Sequence, residues 1–525
     1  MHGVETILGL LVVVAALAWL ANRVGVPYPI VLVIGGLVIS MNRHLPTIEL
    51  NPEYVFVLFL PPILYNAGTH TSWRDFKANF RPISLLAVGL VLFTTVLVAM
   101  TAHWVLKMSW PPAFVLGAIV SPPDAVAATA ILQRLRVPRR VVTILEGESL
   151  VNDATALVTY QFAVAATMMA AGGAHGDFTF SAAAWKFLTA GTGGVAIGLL
   201  AGMAIAWVRP RLRDPSVENA VSLLTPFIAY LPADWLGLSG VLAVVTCGIY
   251  IARRLGRITT AQVRLRAYAV WDVVIFILNG LIFILIGLQI SHIAHPRQWI
   301  VYVILISVVA ILARFAWVYP AAYIPRRLFK KIAERDPMPP LNVVFLVAWT
   351  QMRGVVSLAA ALALPRQTHS GAPFPYRDLI IFLTFGVILV TLVMQGLTLP
   401  AVIRWLRIET VGDDENTDEE VTARYLASLA AIEKLDAMGA RNSEAASALQ
   451  RLRATYDDRI DYFSRLMNPE GDNRLQACET GEQAIRAAIV AQREMLLRLR
   501  DQGVIGDDVL RLIEQELDHE ESHLM

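Results

Sequence analysis

Residues 145–158 read L-E-G-E-S-L-V-N-D-A-T-A-L-V. They lie inside a long apolar segment, 141–170, that suits a membrane span or a deeply buried helix. Glu148, Ser149, Asn152 and Asp153 recur at spacings of three and four, which on a helix predicts one shared polar face. An ionisable group in hydrocarbon costs a few kcal/mol, so such a face turns toward protein or a wet cavity. Two carboxylates, a hydroxyl and an amide together predict an oxygen-rich site for a small hard cation or a proton. The other segments read as support for that site.

The 525 residues are 56% hydrophobic and 16% charged, with a mean hydropathy of +0.56. A soluble chain of this size is excluded, because the apolar residues form bilayer-length runs. The first run, 3–21, has no basic n-region before it and no convincing cleavage site, so it reads as a retained span. The two cysteines, Cys247 and Cys478, have no metal-ligand spacing, and a disulfide between them is not expected. Net charge is +2, but the stretch from Glu409 onward carries 26 acidic and 13 basic residues. A basic membrane part therefore precedes an acidic soluble tail.

Hydropathy predicts thirteen spans: 3–22, 27–41, 52–68, 83–105, 113–133, 141–170, 185–208, 217–233, 236–252, 268–291, 298–324, 341–364 and 378–403. Fusing the eighth and ninth, split by Pro232 and Asp234, gives twelve. With the tail in the cytoplasm, thirteen spans place 23 Lys and Arg residues in inside loops and 6 in outside loops. That bias predicts an outside N-terminus and a cytoplasmic tail. Gly194, Gly198 and Gly202 repeat every four residues and predict a close-packing face. The tail, 409–525, shows helical patterns at 418–437, 442–466, 474–502 and 505–522 but no nucleotide-binding glycine loop. It reads as an appendage for assembly or regulation.

Three spans carry charge at one depth. From the predicted span ends, Asp124 lies about 16 Å in, and Asp153 and Arg353 about 18 Å in. Half of a roughly 30 Å core is about 15 Å. Pro122 and Pro123 lack N–H groups and clash with the preceding turn, so the fifth helix is predicted to break beside Asp124. Broken helices with free carbonyls at the midplane are how secondary transporters build ion sites. Arg353 needs an anion, with Glu148, Asp124 and Asp153 as candidates. A structural Glu148–Arg353 pair is the favoured assignment, which leaves Asp153 free to titrate. Glu146 reads as lining a cytoplasmic funnel, and Arg314 as an interior structural charge. Asn279 reads as helix packing or a cavity lining.

Five segments resemble the monovalent cation:proton antiporter superfamily, in its bacterial sodium/proton exchanger (NhaP-like) branch. They are L-P-P-I-L-Y-N-A-G at 60–68, S-P-P-D-A-V-A at 121–127, E-G-E-S-L-V-N-D-A-T-A-L-V at 146–158, F-I-L-N-G-L-I-F-I-L-I-G-L at 276–288 and M-R-G-V-V-S-L at 352–358. The resemblance covers about 1–407. It implies an all-α polytopic fold of about 13 helices, in two inverted six-helix repeats (1–170 and 217–403) joined by a connector at 185–208. Broken helices would cross at the midplane. It implies a bacterial inner-membrane homodimer that exchanges Na+, with Li+ as a further substrate, for H+ by alternating access. The residues add the stoichiometry: Asn152 is neutral where a second aspartate would titrate, and Glu148 is neutralised by Arg353, which leaves Asp153 to exchange one H+ for one Na+. No cofactor and no nucleic-acid partner are implied; the partners are the two ions and membrane lipid. Asp153 matches the ion- and proton-binding aspartate and Asn152 its neighbour. Asp124 and Ser149 match further sodium ligands, and Glu148 with Arg353 matches a cross-helix ion pair. Where the family often has Thr-Asp-Pro, this chain has Pro123-Asp124-Ala125, so only the Pro123 carbonyl can take the threonine's place as an ion ligand. The rival readings are a K+/H+ antiporter of the same architecture and an intramembrane aspartyl protease, for which Asp124 and Asp153 would be the dyad.

Overall fold

The computed structural model describes residues 2–41, 55–124, 128–129, 132, 135, 137–171, 180–212, 214–289, 298–368, 371–408, 412–439, 446–467 and scattered positions between 492 and 513. It is helical, with no strand among the described residues. The chain divides into two compact units, Met1–Gly412 and Asp413–Met525.

The first unit opens with α1 (His2–Val24), α2 (Tyr28–Ser40), α3 (Leu60–His70) and the short α4 (Trp73–Ala78). Next come α5 (Phe80–Trp104), α6 (Trp110–Val120), α7 (Arg139–Ala171) and α8 (Phe180–Val208). They are followed by α9 (Pro215–Trp235), α10 (Gly240–Ile258), α11 (Ala261–Gln289) and α12 (Gln298–Leu328). The unit closes with α13 (Lys330–Arg335), α14 (Leu341–Trp349), α15 (Val355–Leu362) and α16 (Arg377–Leu406). Among the described residues, five helices are long and apolar enough to cross a bilayer. Others, such as α6, α14 and α15, are half-length because the chain breaks inside the apolar run.

Local chemistry sets several boundaries. Asp214 accepts from the Ser216 N–H at 2.7 Å and starts α9, with Pro215 in the first turn where its missing N–H is harmless. Ser239 accepts from the Leu242 N–H at 3.3 Å and starts α10. The eighth and ninth segments are thus two helices, but the turn between them falls at 236–239, and Pro232 and Asp234 lie inside α9. At the other end of α9, Arg209 donates to the buried Glu218 at 3.2 Å, and Thr259 donates to the same carboxylate.

Two helix groups pack within this unit. One joins α1, α2, α3 and α8–α11, with α2 on α11, α3 on α10 and α8 on α10. At Gly194 and Gly198 of α8, an added Cβ would collide with the Ser239 and Ala243 carbonyls of α10. The small residues are there because two backbones touch. The other group joins α5, α6, α7, α12, α14, α15 and α16, with α6 between α5 and α7 and α12 against α16. In the second unit, α17 (Gly412–Gly439) and α18 (Ala446–Met467) are described, and Arg453 pairs with Asp436 at 2.8 Å. Cys478 and nearly all of the expected helices at 474–502 and 505–522 lie outside the described residues.

Candidate ion-binding site

The site forms where two helix breaks meet. The helix α6 stops at Val120, and Ser121, Pro122, Pro123 and Asp124 continue as irregular chain. The prolines prevent the helix from continuing. The second break runs from Thr350 to Gly354, between α14 and α15. It contains no proline and is held by its neighbours. The Asp124 N–H donates to the Met352 carbonyl at 2.6 Å, and Arg353 Nε donates to the Val120 carbonyl at 2.7 Å. The Arg353 N–H reaches Thr391 Oγ1 at 3.4 Å. The Asp124 N–H and the Met352 carbonyl thereby satisfy each other across the two breaks, and the Arg353 side chain and Thr391 take up two further freed groups, which a span in hydrocarbon requires.

Arg353 is 1% exposed, and its cation rests on carbonyls of Val120 and Gln351. Val120 ends α6, where unsatisfied carbonyls leave partial negative charge. The expected Glu148–Arg353 pair is therefore corrected: Glu148 belongs to Arg314. Arg314 Nη1 and Nη2 donate to Glu148 Oε1 and Oε2 at 2.5 and 2.7 Å, while Arg314 Nε donates to the Val347 carbonyl at 3.0 Å. Both side chains are 1% exposed. This two-pronged geometry is the strong form of an ion pair, and it ties α7, α12 and α14 together.

The four polar residues of α7 do not share one face; they split into two neighbouring pairs. Ser149 and Asp153 line a cavity of about 310 Å³. Glu148 and Asn152 point into protein, toward Arg314 and Pro123. Asn152 Nδ2 donates to the Pro123 carbonyl at 2.7 Å, so it holds the first break in position. Asp124 and Pro123 line the same cavity as Asp153. Asp124 Oδ2 sits where a Cβ on residue 354 would be, so Gly354 leaves the room that the carboxylate occupies. Gly354 immediately precedes α15, whose N-terminal N–H groups favour a nearby anion. Beyond the carboxylates, Glu146, His70 and Asp272 also line the cavity. It extends toward the end of α7 that carries Arg139 and Arg140. Ala125, the last residue of the departing Pro-Asp-Ala motif, lies outside the described residues.

Three residues of this centre were not singled out from the sequence: Arg314 as the partner of Glu148, Gly354, and the buried cavity-lining Ser357. Arg314 did carry a signal, since a charge inside an apolar helix requires a counter-charge. Among the described residues no cluster of three or more His, Cys, Asp or Glu side chains could hold a resident metal ion.

Two helix breaks bonded to each other, with carboxylates lining the cavity beside them, suit a multi-pass membrane transporter. Residues 9–405 match the family model described as sodium/hydrogen exchanger, transmembrane, so the chain belongs to the sodium/hydrogen exchanger family. An uncharacterized Na(+)/H(+) exchanger of Mycobacterium tuberculosis (strain ATCC 25618 / H37Rv) is 35% identical over 99% of this chain and 97% of its own. The sodium, potassium, lithium and rubidium/H(+) antiporter of Bacillus subtilis (strain 168) is 31% identical, covering 96% of this chain and 76% of its own. Among solved structures, the sodium proton antiporter MjNhaP1 of Methanocaldococcus jannaschii matches with a TM-score of 0.58 at 20% identity, over 77% of this chain and 99% of that one. Members of this family are transporters rather than enzymes, which removes the protease reading.

Proposed function

We propose that this protein exchanges Na+ for H+ across the membrane by alternating access, with Asp153 as the group that carries either ion. An ionised carboxylate binds a hard cation and a protonated one does not, so one side chain serves both half-cycles. Asp124, Ser149 and the Pro123 carbonyl supply further oxygen ligands to the cation, and Asn152 holds Pro123 in place. The observation that carries this reading is the single cavity lined by Asp124, Asp153 and Ser149 at the junction of two helix breaks. A cavity extending toward the basic-loop end suits an inward-facing pose, with that end in the cytoplasm, an outside N-terminus and the bacterial inner membrane as its location. With Glu148 committed to Arg314, one proton is exchanged per Na+, and the cycle moves no net charge. Thirteen spans in two inverted repeats, supported by the likeness in fold to MjNhaP1, complete the reading, and we propose a homodimer.

A broader cation range is the second reading. The antiporters of Bacillus subtilis (strain 168) and Bacillus pumilus (strain SAFR-032) are both named for sodium, potassium, lithium and rubidium, and they share 31% and 36% identity with this chain. The test is dequenching of a pH-sensitive dye in everted vesicles on addition of Na+, Li+, K+ or Rb+. A response to Na+ and Li+ alone supports the narrow reading. Equal responses to K+ and Rb+ select the broad one, and no response to any cation rejects both.

A further inference from the structure

We propose that Ser357 supplies a hydroxyl ligand to the transported cation from the first turn of α15. The inference rests on the exchange reading above and adds a third element to its site. Ser357 is 2% exposed and lines the cavity shared by Asp124, Ser149 and Asp153. Among the described residues its Oγ has no hydrogen-bond partner. A buried hydroxyl inside a helix can satisfy itself on the carbonyl four residues back. Thr384 and Thr391 of α16 each do so at 2.8 Å. Four residues before Ser357 is Arg353, which lies in the second break and not in α15, so no helical carbonyl is there to take the hydroxyl, and a buried polar atom left without a partner is costly unless something in the cavity engages it.

The position fits a ligand. Gly354 and Ser357 are three residues apart, so they share one face at the start of α15. Gly354 is the residue that the Asp124 carboxylate lies against. Ser357 therefore lies one helical turn from that carboxylate. A cation stripped of water needs oxygens from several directions. Asp124 comes from the first break, Ser149 and Asp153 from α7, and Ser357 from beyond the second break. A hydroxyl adds a hard oxygen without adding a titrating proton. It raises cation affinity and leaves the proton count to the carboxylates.

The experiment uses the full-length protein in proteoliposomes, with the apparent KM for Na+ read from dye dequenching. Ser357→Ala raises that KM about fivefold, the factor expected from one neutral oxygen contact. Ser357→Cys is close in size but offers a soft sulfur in place of a hard oxygen, and it raises the KM by a similar factor. Ser357→Thr keeps the hydroxyl and stays nearer to wild type than either. The increase in melting temperature on adding Na+ to detergent-purified protein shrinks in the Ala and Cys variants, a readout independent of turnover. If the Ala variant does not fold, the Cys variant decides. A wild-type KM and a wild-type Na+ stabilisation in whichever variants fold overturn the assignment. A wild-type protein that moves no protons for Na+, Li+ or K+ overturns the exchange reading and this ligand with it.

Discussion

Two buried arginines sit near the site, and their surroundings give them different work. Arg314 meets a carboxylate with both prongs, whereas Arg353 meets carbonyls at the end of a helix. Removing one partner of a buried pair strands a charge and costs about 3–5 kcal/mol. Glu148→Ala and Arg314→Ala should each lower the melting temperature markedly, and the double variant should melt no lower than the worse single one. Glu148→Ala with Arg353→Ala should instead approach the sum of its two effects, since these side chains share no bond. Melting curves of purified protein check this; an Arg314→Ala variant that melts like wild type contradicts the pairing. The polar residues themselves were legible, because charge and amide groups stand out in an apolar run. Their partners were not. A spacing of three or four residues fixes a helix face only to within about 100°. Ser149 and Asp153 thus reach the cavity, while Glu148 and Asn152, one position earlier, turn into protein.

At the scale of elements, the two breaks differ in how openly the sequence declares them. Pro122 and Pro123 interrupt α6 by their own chemistry, so this break could be read directly. The break at 350–354 has no such residue. It depends on Asp124, Thr391 and the end of α6, all distant in sequence, and the apolar run around it looks like one continuous span. The small-residue face of α8 was legible for the opposite reason, since a four-residue repeat of glycine has a local geometric meaning. Replacing both prolines by alanine should let α6 extend past Val120. The Asp124 N–H would then turn back into its own helix and leave the Met352 carbonyl unpaired. The expected outcome is loss of Na+-driven proton movement, with slower backbone hydrogen exchange across 121–124. Wild-type transport by that variant contradicts a functional break.

On the scale of the whole molecule, one helix group carries Asp124, Asp153, both breaks and the Glu148–Arg314 pair, while His70 and Asp272 reach the cavity from the other. A cavity lined by both groups can change its opening when one moves against the other, which is the geometry alternating access needs. Stoichiometry follows from how many carboxylates in that cavity give up a proton. Asp124 lies against Gly354 at the N-terminus of α15, and we assign the exchanged proton to Asp153 alone. One proton for one Na+ moves no charge. Imposing a membrane potential across proteoliposomes, with no pH gradient, should therefore drive no Na+ movement, and uptake that follows the sign of the potential contradicts one-for-one exchange.

The central claim is that Asp153 carries Na+ and H+ in turn. Uptake of Na+ driven by an outward proton gradient, compared between wild type and Asp153→Asn in proteoliposomes, tests it most directly. Asparagine keeps the size of the side chain and removes both the charge and the exchangeable proton. Wild type should accumulate Na+ and lose that accumulation when the gradient is collapsed, and Asp153→Asn should show none while inserting and melting like wild type. Gradient-driven Na+ uptake by Asp153→Asn near the wild-type rate would contradict it.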